Sequence, residues 1–549
     1  MTKGIKKDLL VFTPIIVVIL FVFWNLPQTF YQQDEWQVLG NNIVQGVGNI
    51  IKYLSPVQLF FSEGRVLARA LDFIFFDMFR FTVLPVVIFA VFMHIINSFL
   101  VFYLAIKLTE KRFIAFFASI FFAVNSVSHQ AVTWAAAITT TLPATSLVLL
   151  SILSYLKFLE TNKKKWITLS FVFTVLSFLF KGVGIFLFIF FPVLYFFFTK
   201  RKSFIEYIKT HVLFITYGLL TFFFRYVILL NSTTKVGRFV TGGSGFNEKL
   251  LWHFILYSLT GFFQLFFPPL PVYNLATKIT YLQYPFTITS PIRGLLEQTA
   301  ITDMITIIGT LVVLLFIFFL NNIDKGKRAR FLILSFSLIF LSFLPYTVLD
   351  RGASYMDSRY YYVGAIGAGM ILGYVLNFFL EQNKRIGYFL VLFSSLLFFL
   401  HIKNIREDLS YQVETAKQRL YILHTIKETY PDLKDKNIFY MTGNQDYYIS
   451  NNKIPMQQGM GYTLMLWYYD TGKIPAQFLE ENFLWDIGSQ SYKEIASSGF
   501  GYFSNLKTLL ENYKKYSLSP NNIISFYWDA GKHRLIDTTV QTRKLLILK

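Results

Sequence analysis

The sequence contains no cysteine. That absence excludes disulfides, thiolate nucleophiles and cysteine-based zinc sites. Charge is scarce as well. Asp, Glu, Lys and Arg make up 15% of the 549 residues, against about 25% in an ordinary soluble domain. Acid is the scarcer sign, with 31 acidic against 51 basic residues and a net charge of +20. The chain shows neither internal repeats nor a long low-complexity linker. Its one glycine cluster, Gly242-Gly243-Ser244-Gly245, has no following Lys-Ser/Thr and so does not read as a phosphate loop.

Apolar residues fill the space left by charge. They account for 54% of the chain, with 64 Phe and a mean hydropathy of +0.49. They come in blocks of about 17–25, the length that crosses a hydrocarbon core. The chain therefore reads as a polytopic α-helical membrane protein. Lys3, Lys6 and Lys7 precede an apolar run that is too long for a cleaved signal peptide and lacks a small-residue cleavage site, so a retained signal anchor is expected. The basic residues gather in short loops between apolar runs: Lys107/Lys111/Arg112, Lys163 to Lys165, Lys200 to Lys202, Lys325 to Arg330, and Lys384/Arg385. This is the positive-inside pattern. It explains the net charge as topology, and no nucleic-acid partner is expected.

Placing those clusters in the cytoplasm orients the chain. The N-terminus is inside, about eleven helices cross, and residues from about 403 onward lie outside, across a membrane read as the plasma membrane. The apolar run Leu251 to Phe267 lies between two outer ends and cannot cross once. It is expected to be re-entrant or surface-lying, ended by Pro268-Pro269-Leu270-Pro271. Phe60 to Phe81 sets Leu67, Leu71, Ile74, Phe75 and Met78 on one face, which suggests an amphipathic helix in the interface. Two domains follow: residues 1–402, a membrane-embedded catalytic domain, and residues 403–549, a soluble α+β domain. In the second, Ile405 to Tyr430 reads as a charged helix. Asn437 to Thr442, Ile523 to Trp528 and His533 to Asp537 read as strands, and Phe503 to Tyr513 as a helix. Tyr447-Tyr448, Tyr462, Trp467, Tyr468-Tyr469 and Trp485 are expected mainly in its core. Asn231-Ser232-Thr233 fits a glycosylation sequon.

One polar stretch stands out. Tyr31-Gln32-Gln33-Asp34-Glu35-Trp36 directly follows the first apolar run. Two adjacent carboxylates at a bilayer surface suit a base, or a ligand for a metal. Other polar groups fall near the same side: Arg65, Arg69, His94, Asn97, His129, Gln130, Trp134, Lys181, Asp350, Arg351, Asp357 and Arg359. Carboxylates able to remove a proton, opposite cations suited to a phosphate, suggest transfer from a lipid phosphate donor. Lys181, at a tight turn between two apolar runs, should face water or a substrate.

Six motifs occur in an order that resembles the GT-C glycosyltransferases of the protein O-mannosyltransferase and TMTC-like kind. They are Asp34-Glu35-Trp36; Gly64-Arg65-Val66-Leu67; His94-Ile95-Ile96-Asn97; Asn125 to Trp134, similar to "HPVHTEAVAW"; Phe180 to Gly184, similar to "FKEQG"; and Ser358 to Gly367, similar to "ERYLYLPSIG". Departures lie at Asn125-Ser126 in place of His-Pro, at Gln130 in place of Glu, and at Gly182 in place of Glu. The last two remove carboxylates that might support the site.

The resemblance implies a fold and a reaction. A sugar would pass from a polyprenyl-phosphate donor to a hydroxyl of a protein, glycan or lipid on the outer face, with inversion. Asp34 would be the base and Glu35 its neighbour or substitute. Arg359 and Lys181 would bind the donor phosphate. His129, Gln130, Trp134 and Arg65 would contact acceptor or substrate, with metal binding an alternative for His129. His94 and Asn97 are expected in packing. No cofactor is firmly implied, and a divalent metal stays open. The rival readings are a transporter or flippase for a lipid-linked or anionic substrate, and a non-catalytic scaffold. The first would need ionisable residues near mid-membrane and a pseudo-repeat, and neither is visible.

Overall fold

A computed structural model describes residues 3–46, 65–198, 203–223, 249–283, 291–323, 327–347, 355–444, 459–480, 484 and 491–548. Gly64, the Asn231 sequon, the Gly242 cluster, Asp350, Arg351, Tyr447, Tyr448 and Trp485 lie outside these residues, as do the basic residues 200–202 and 325. The described chain is mostly helical, with one small sheet near its C-terminal end.

Among the described residues, six helices are long and apolar enough to cross a membrane: Lys7–Gln28, Leu84–Thr109, Ala135–Thr161, Glu297–Phe318, Gly364–Gln382 and Lys384–Thr429. A seventh crossing is possible if the bent pair Leu251–Gln264 and Pro269–Leu282 counts as one span; its halves meet at 106°. This pair is the segment expected to be re-entrant, and Pro269 opens its second half, where a missing N–H costs nothing. Four shorter apolar helices, Arg112–Ala123, Gly182–Phe198, Val212–Thr221 and Arg330–Tyr346, fall short of a full span. About eleven crossings would require such short helices to cross too.

Two details of the sequence reading change. The interfacial element begins at Val66 and runs as an α-helix to Asp72, then as a π-turn over Phe73–Asp77. Ala68, Asp72 and Phe76 face inward, while Ile74 and Met78 are exposed, which leaves an apolar stripe outward as lipid contact requires. The helices expected at about 386–402 and from Ile405 are continuous with one another. Lys384–Thr429 is a single helix of 46 residues, about 70 Å long at 1.5 Å per residue.

The chain divides into two compact units. The first comprises residues 1–24, 52–69 and 88–408. Within it, Gly364–Gln382 packs closely on Arg112–Ala123. A Cβ at Gly369 would collide with the Ala118 carbonyl, and one at Gly373 would press on that of Ile114. This small-xxx-small spacing lets two helices approach without a hydrophobic driving force between them. The helix so fixed carries Arg359 and Tyr360 to Tyr362 just before its first residue.

The second unit comprises residues 25–51, 70–87 and 409–549. Its sheet has the order β2-β3-β1-β4-β5, with β1 Lys436–Gly443, β2 Ser491–Ile495, β3 Ser498–Phe503, β4 Ile523–Asp529 and β5 Arg534–Asp537. β1 runs parallel to β3 and β4; the outer pairs are antiparallel. Ile438, Phe503, Leu509 and Ile523 form its core. Tyr462, Trp467 and Tyr468 are buried in this unit, as expected of core aromatics. The helix Asp34–Gln45 packs on Met460–Tyr468 within the unit, so closely that a Cβ at Gly40 would collide with the Tyr462 hydroxyl.

Candidate active site

Asp34 and Glu35 occupy the first turn of the helix Asp34–Gln45, where unpaired N–H groups favour negative charge. The structure gives the two carboxylates different surroundings. Glu35 is 1% exposed, and its Oε2 accepts backbone N–H bonds from Gln33 at 2.9 Å and Gln32 at 3.3 Å. Tyr31 and Trp36 are buried, their rings 5.7 Å apart and edge-on. The Tyr31 hydroxyl donates to the Arg80 carbonyl at 2.6 Å. Burial pushes the Glu35 carboxyl above its ordinary range and the Asp34 charge adds to this, while the backbone N–H groups oppose it. Glu35 thus holds the turn together. Asp34 stays half-buried at the helix start.

The cations of the first unit gather at the ends of several helices. Lys181 follows the helix Lys164–Phe180 in extended conformation. It is 9% exposed, so of the two expected surroundings, water or a substrate, water is little represented in this structure. Its ammonium donates to Thr141 Oγ1 at 2.8 Å and lies 5.8 and 5.6 Å from the rings of Tyr346 and Tyr360. Burial, then the charges of Arg359 and Arg65, hold its pKa well below the ordinary lysine value, with Asp357 acting the other way. Arg359 pairs with Asp357 at 3.0 Å and donates to the Tyr360 hydroxyl at 3.1 Å. Its guanidinium stacks 4.2 Å above the Trp134 ring. Lys181, Arg359 and Arg65 therefore influence one locality, with Asp357 opposing them. Such a field suits an anion, and the Arg fork suits two phosphate oxygens.

Trp134 belongs to a loop, residues 125–134, that ends in the short helix Gln130–Thr133. Gln130 N–H donates to Ser358 Oγ at 3.1 Å, which joins the loop to the turn carrying Arg359. Gln130 Oε1, Thr133 Oγ1 and Trp134 Nε1 are buried without a hydrogen-bond partner among the described residues. Residues 130, 133 and 134 share one helical face, so three orphan polar atoms lie together where unpaired groups are rare. His129 is engaged at both nitrogens, with Nδ1 2.5 Å from the Ser126 carbonyl and Nε2 2.8 Å from Asp408 Oδ2. Both ring nitrogens are therefore occupied by protein partners in this structure. Among the described residues, no group of three or more His, Asp or Glu could hold a metal ion.

The departures at Asn125-Ser126 have a local reason. Asn125 donates to the Leu265 carbonyl at 2.8 Å. Ser126 N–H and Oγ meet His401 Nδ1 at 3.1 and 2.8 Å, and His401 Nε2 lies 3.3 Å from the Phe266 carbonyl. Tyr355 donates to Phe267 O at 3.2 Å. These bonds satisfy carbonyls freed where the bent pair breaks. A proline at 126 would lack the N–H that reaches His401.

Packing was rightly expected of His94 and Asn97. His94 bridges Tyr362 OH at 2.7 Å and the Ala123 carbonyl at 3.0 Å, and Asn97 bonds Leu142 O and Ser146 Oγ. Tyr346, Tyr360, Thr141, Ser358 and Asp408 were not singled out from sequence as parts of the site. Of these, Tyr360 carried a signal, in the Tyr360-Tyr361-Tyr362 run beside Arg359.

Residues 67–226 match the model of the dolichyl-phosphate-mannose-protein mannosyltransferase family, a GT-C family. The match covers 160 of the 549 residues, and this segment is similar to that family. It includes His129, Gln130, Trp134 and Lys181, and leaves Asp34, Glu35, Arg65 and Arg359 outside. No curated protein and no solved structure matches the chain.

Proposed function

We propose that this chain moves a mannose-type sugar from a polyprenyl-phosphate donor to a hydroxyl of a protein, glycan or lipid at the outer face of the plasma membrane. The observation that carries the reading is the cationic cluster of Lys181, Arg359 and Arg65 beside the matched segment. Asp34 removes the acceptor hydroxyl proton. The acceptor oxygen bonds to the anomeric carbon from the face opposite the phosphate. The carbon–oxygen bond to phosphate breaks, and its electron pair leaves with polyprenyl phosphate, so the configuration inverts. The proton ends on Asp34. Glu35 acts through Asp34 by fixing the turn.

The cations act on the leaving group. Arg359 is oriented beforehand by the Trp134 ring and the Tyr360 hydroxyl, so it needs no reorganisation as charge develops. Lys181, whose proton affinity burial and the neighbouring arginines lower, holds its proton more firmly once the phosphate anion lies beside it. Gln130 and Trp134 offer an acceptor and a donor to sugar hydroxyls. This role would also account for their unpaired buried atoms.

The test incubates the purified chain with labelled polyprenyl-phosphate mannose and protein, glycan or lipid acceptors. Transfer that falls by about 10²–10⁴ in Asp34→Asn is expected. Normal turnover by that variant would remove Asp34 as base. Transport of the donor across vesicle bilayers without any transfer would favour the flippase reading.

A further inference from the structure

We infer that Asp408 is a positioning residue: through His129 it latches the 125–134 loop to the long helix Lys384–Thr429, and the latch holds only while the pair retains a shared proton. The argument is a hydrogen-bond inventory. His129 Nδ1 faces the Ser126 carbonyl, which can only accept, so that nitrogen carries a proton. Nε2 faces a carboxylate oxygen at 2.8 Å, and two lone pairs cannot approach so closely without a proton between them. The pair therefore binds one proton more than a neutral imidazole beside a bare carboxylate.

The neighbours point the same way. Ser358 Oγ, 3.4 Å from Nδ1, is neutral. On that turn Asp357 and Arg359 pair with each other. The loop itself carries no further ionisable side chain. On the long helix, Asp408 and His401 face the loop, while Arg406 lies over the Trp24 ring and Glu407 pairs with Lys403. Burial works against a charged His129, but the bond and charge of Asp408 outweigh it, so the imidazole titrates above its usual value.

The second clasp explains why the first matters. His401 and Asp408 are seven residues apart, two helical turns, and so stand on one face of the helix. His401 holds Ser126, and Asp408 holds His129. Gln130 and Trp134 follow directly. If the Asp408 clasp opens, the short helix bearing them loses its anchor at the residue before its first. The loop's place in substrate binding rests on the proposed function, but the latch itself does not.

The cysteine-free chain allows a direct test. Ser128 is buried in the loop, so a thiol introduced by Ser128→Cys reacts with a methanethiosulfonate reagent only when the loop opens. The readout is the labelling rate with Asp408→Asn added, divided by the rate with Asp408 intact. Near pH 7 this ratio should be about ten. At alkaline pH, once the intact pair gives up its proton, it should approach about one. Asp408→Glu should restore slow labelling at the lower pH. A ratio of one near pH 7, or an unchanged ratio at both pH values, would overturn the inference. No sugar donor enters this measurement. Failure of the transferase reading would show separately, as absent binding of polyprenyl-phosphate mannose by the unaltered chain.

Discussion

Replacing Arg359 separates charge from geometry at the proposed donor site. The guanidinium is 17% exposed, lies 3.0 Å from Asp357 and stacks on Trp134 and Tyr360 at 4.2 and 4.7 Å. A unit charge about 4 Å from a phosphate, at an effective dielectric near 20, contributes up to about 4 kcal/mol. Arg359→Gln should therefore lower kcat/KM for polyprenyl-phosphate mannose by about 10²–10³, the usual loss for one anion-stabilising donor. Part of that loss comes from the negative charge of Asp357, which Arg359 then no longer offsets. Arg359→Gln with Asp357→Asn should recover about tenfold of it. Arg359→Lys keeps the charge but loses the fork and much of the stacking, at about 0.5–1 kcal/mol per ring, so a further loss of about tenfold is expected. The assay is transfer of labelled sugar at varied donor concentration. Unchanged kcat/KM in Arg359→Gln would refute the donor-site argument. Full activity in Arg359→Lys would refute the geometric part alone.

Other outcomes follow from the same contacts. Glu35→Gln, which weakens the acceptor for two backbone N–H groups, should lower thermal stability by about 1–2 kcal/mol, whereas Asp34→Asn should lower melting less than Glu35→Gln while lowering transfer by about 10²–10⁴. Binding of polyprenyl phosphate should weaken as pH rises, because Lys181 starts from a depressed pKa in the empty site and takes up a proton with the anion. Lys181→Met should bind less tightly and lose the part of that slope due to this proton, read by titration across the alkaline range. Gly369→Val should force apart the Gly364–Gln382 and Arg112–Ala123 helices, costing about 1–3 kcal/mol or preventing folding. Thermal melting in detergent checks this.

Several site residues were readable in the sequence because they sit in short ordered motifs at the ends of apolar runs: Asp34, Lys181, His129, Arg359. Their partners were not. Asp408 looked like one of many charges on an amphipathic helix, yet it meets His129 across 279 positions. Lys181 was expected to face water or a substrate, since no local pattern shows that Thr141, Tyr346 and Tyr360 enclose it. Glu35 looked equivalent to Asp34, and only the direction of its carboxylate, back onto its own turn, separates them.

The sequence by itself determined the membrane class, most helices, the bent Leu251–Leu282 region and the strands β1, β4 and β5. Hydropathy and periodicity are sums over neighbours along the chain, and those sums survive folding. The tertiary structure decided which polar groups are satisfied, buried or left facing one another. In the low dielectric of a packed interior those pairings set charge and proton affinity, and they join residues that no sequence window contains.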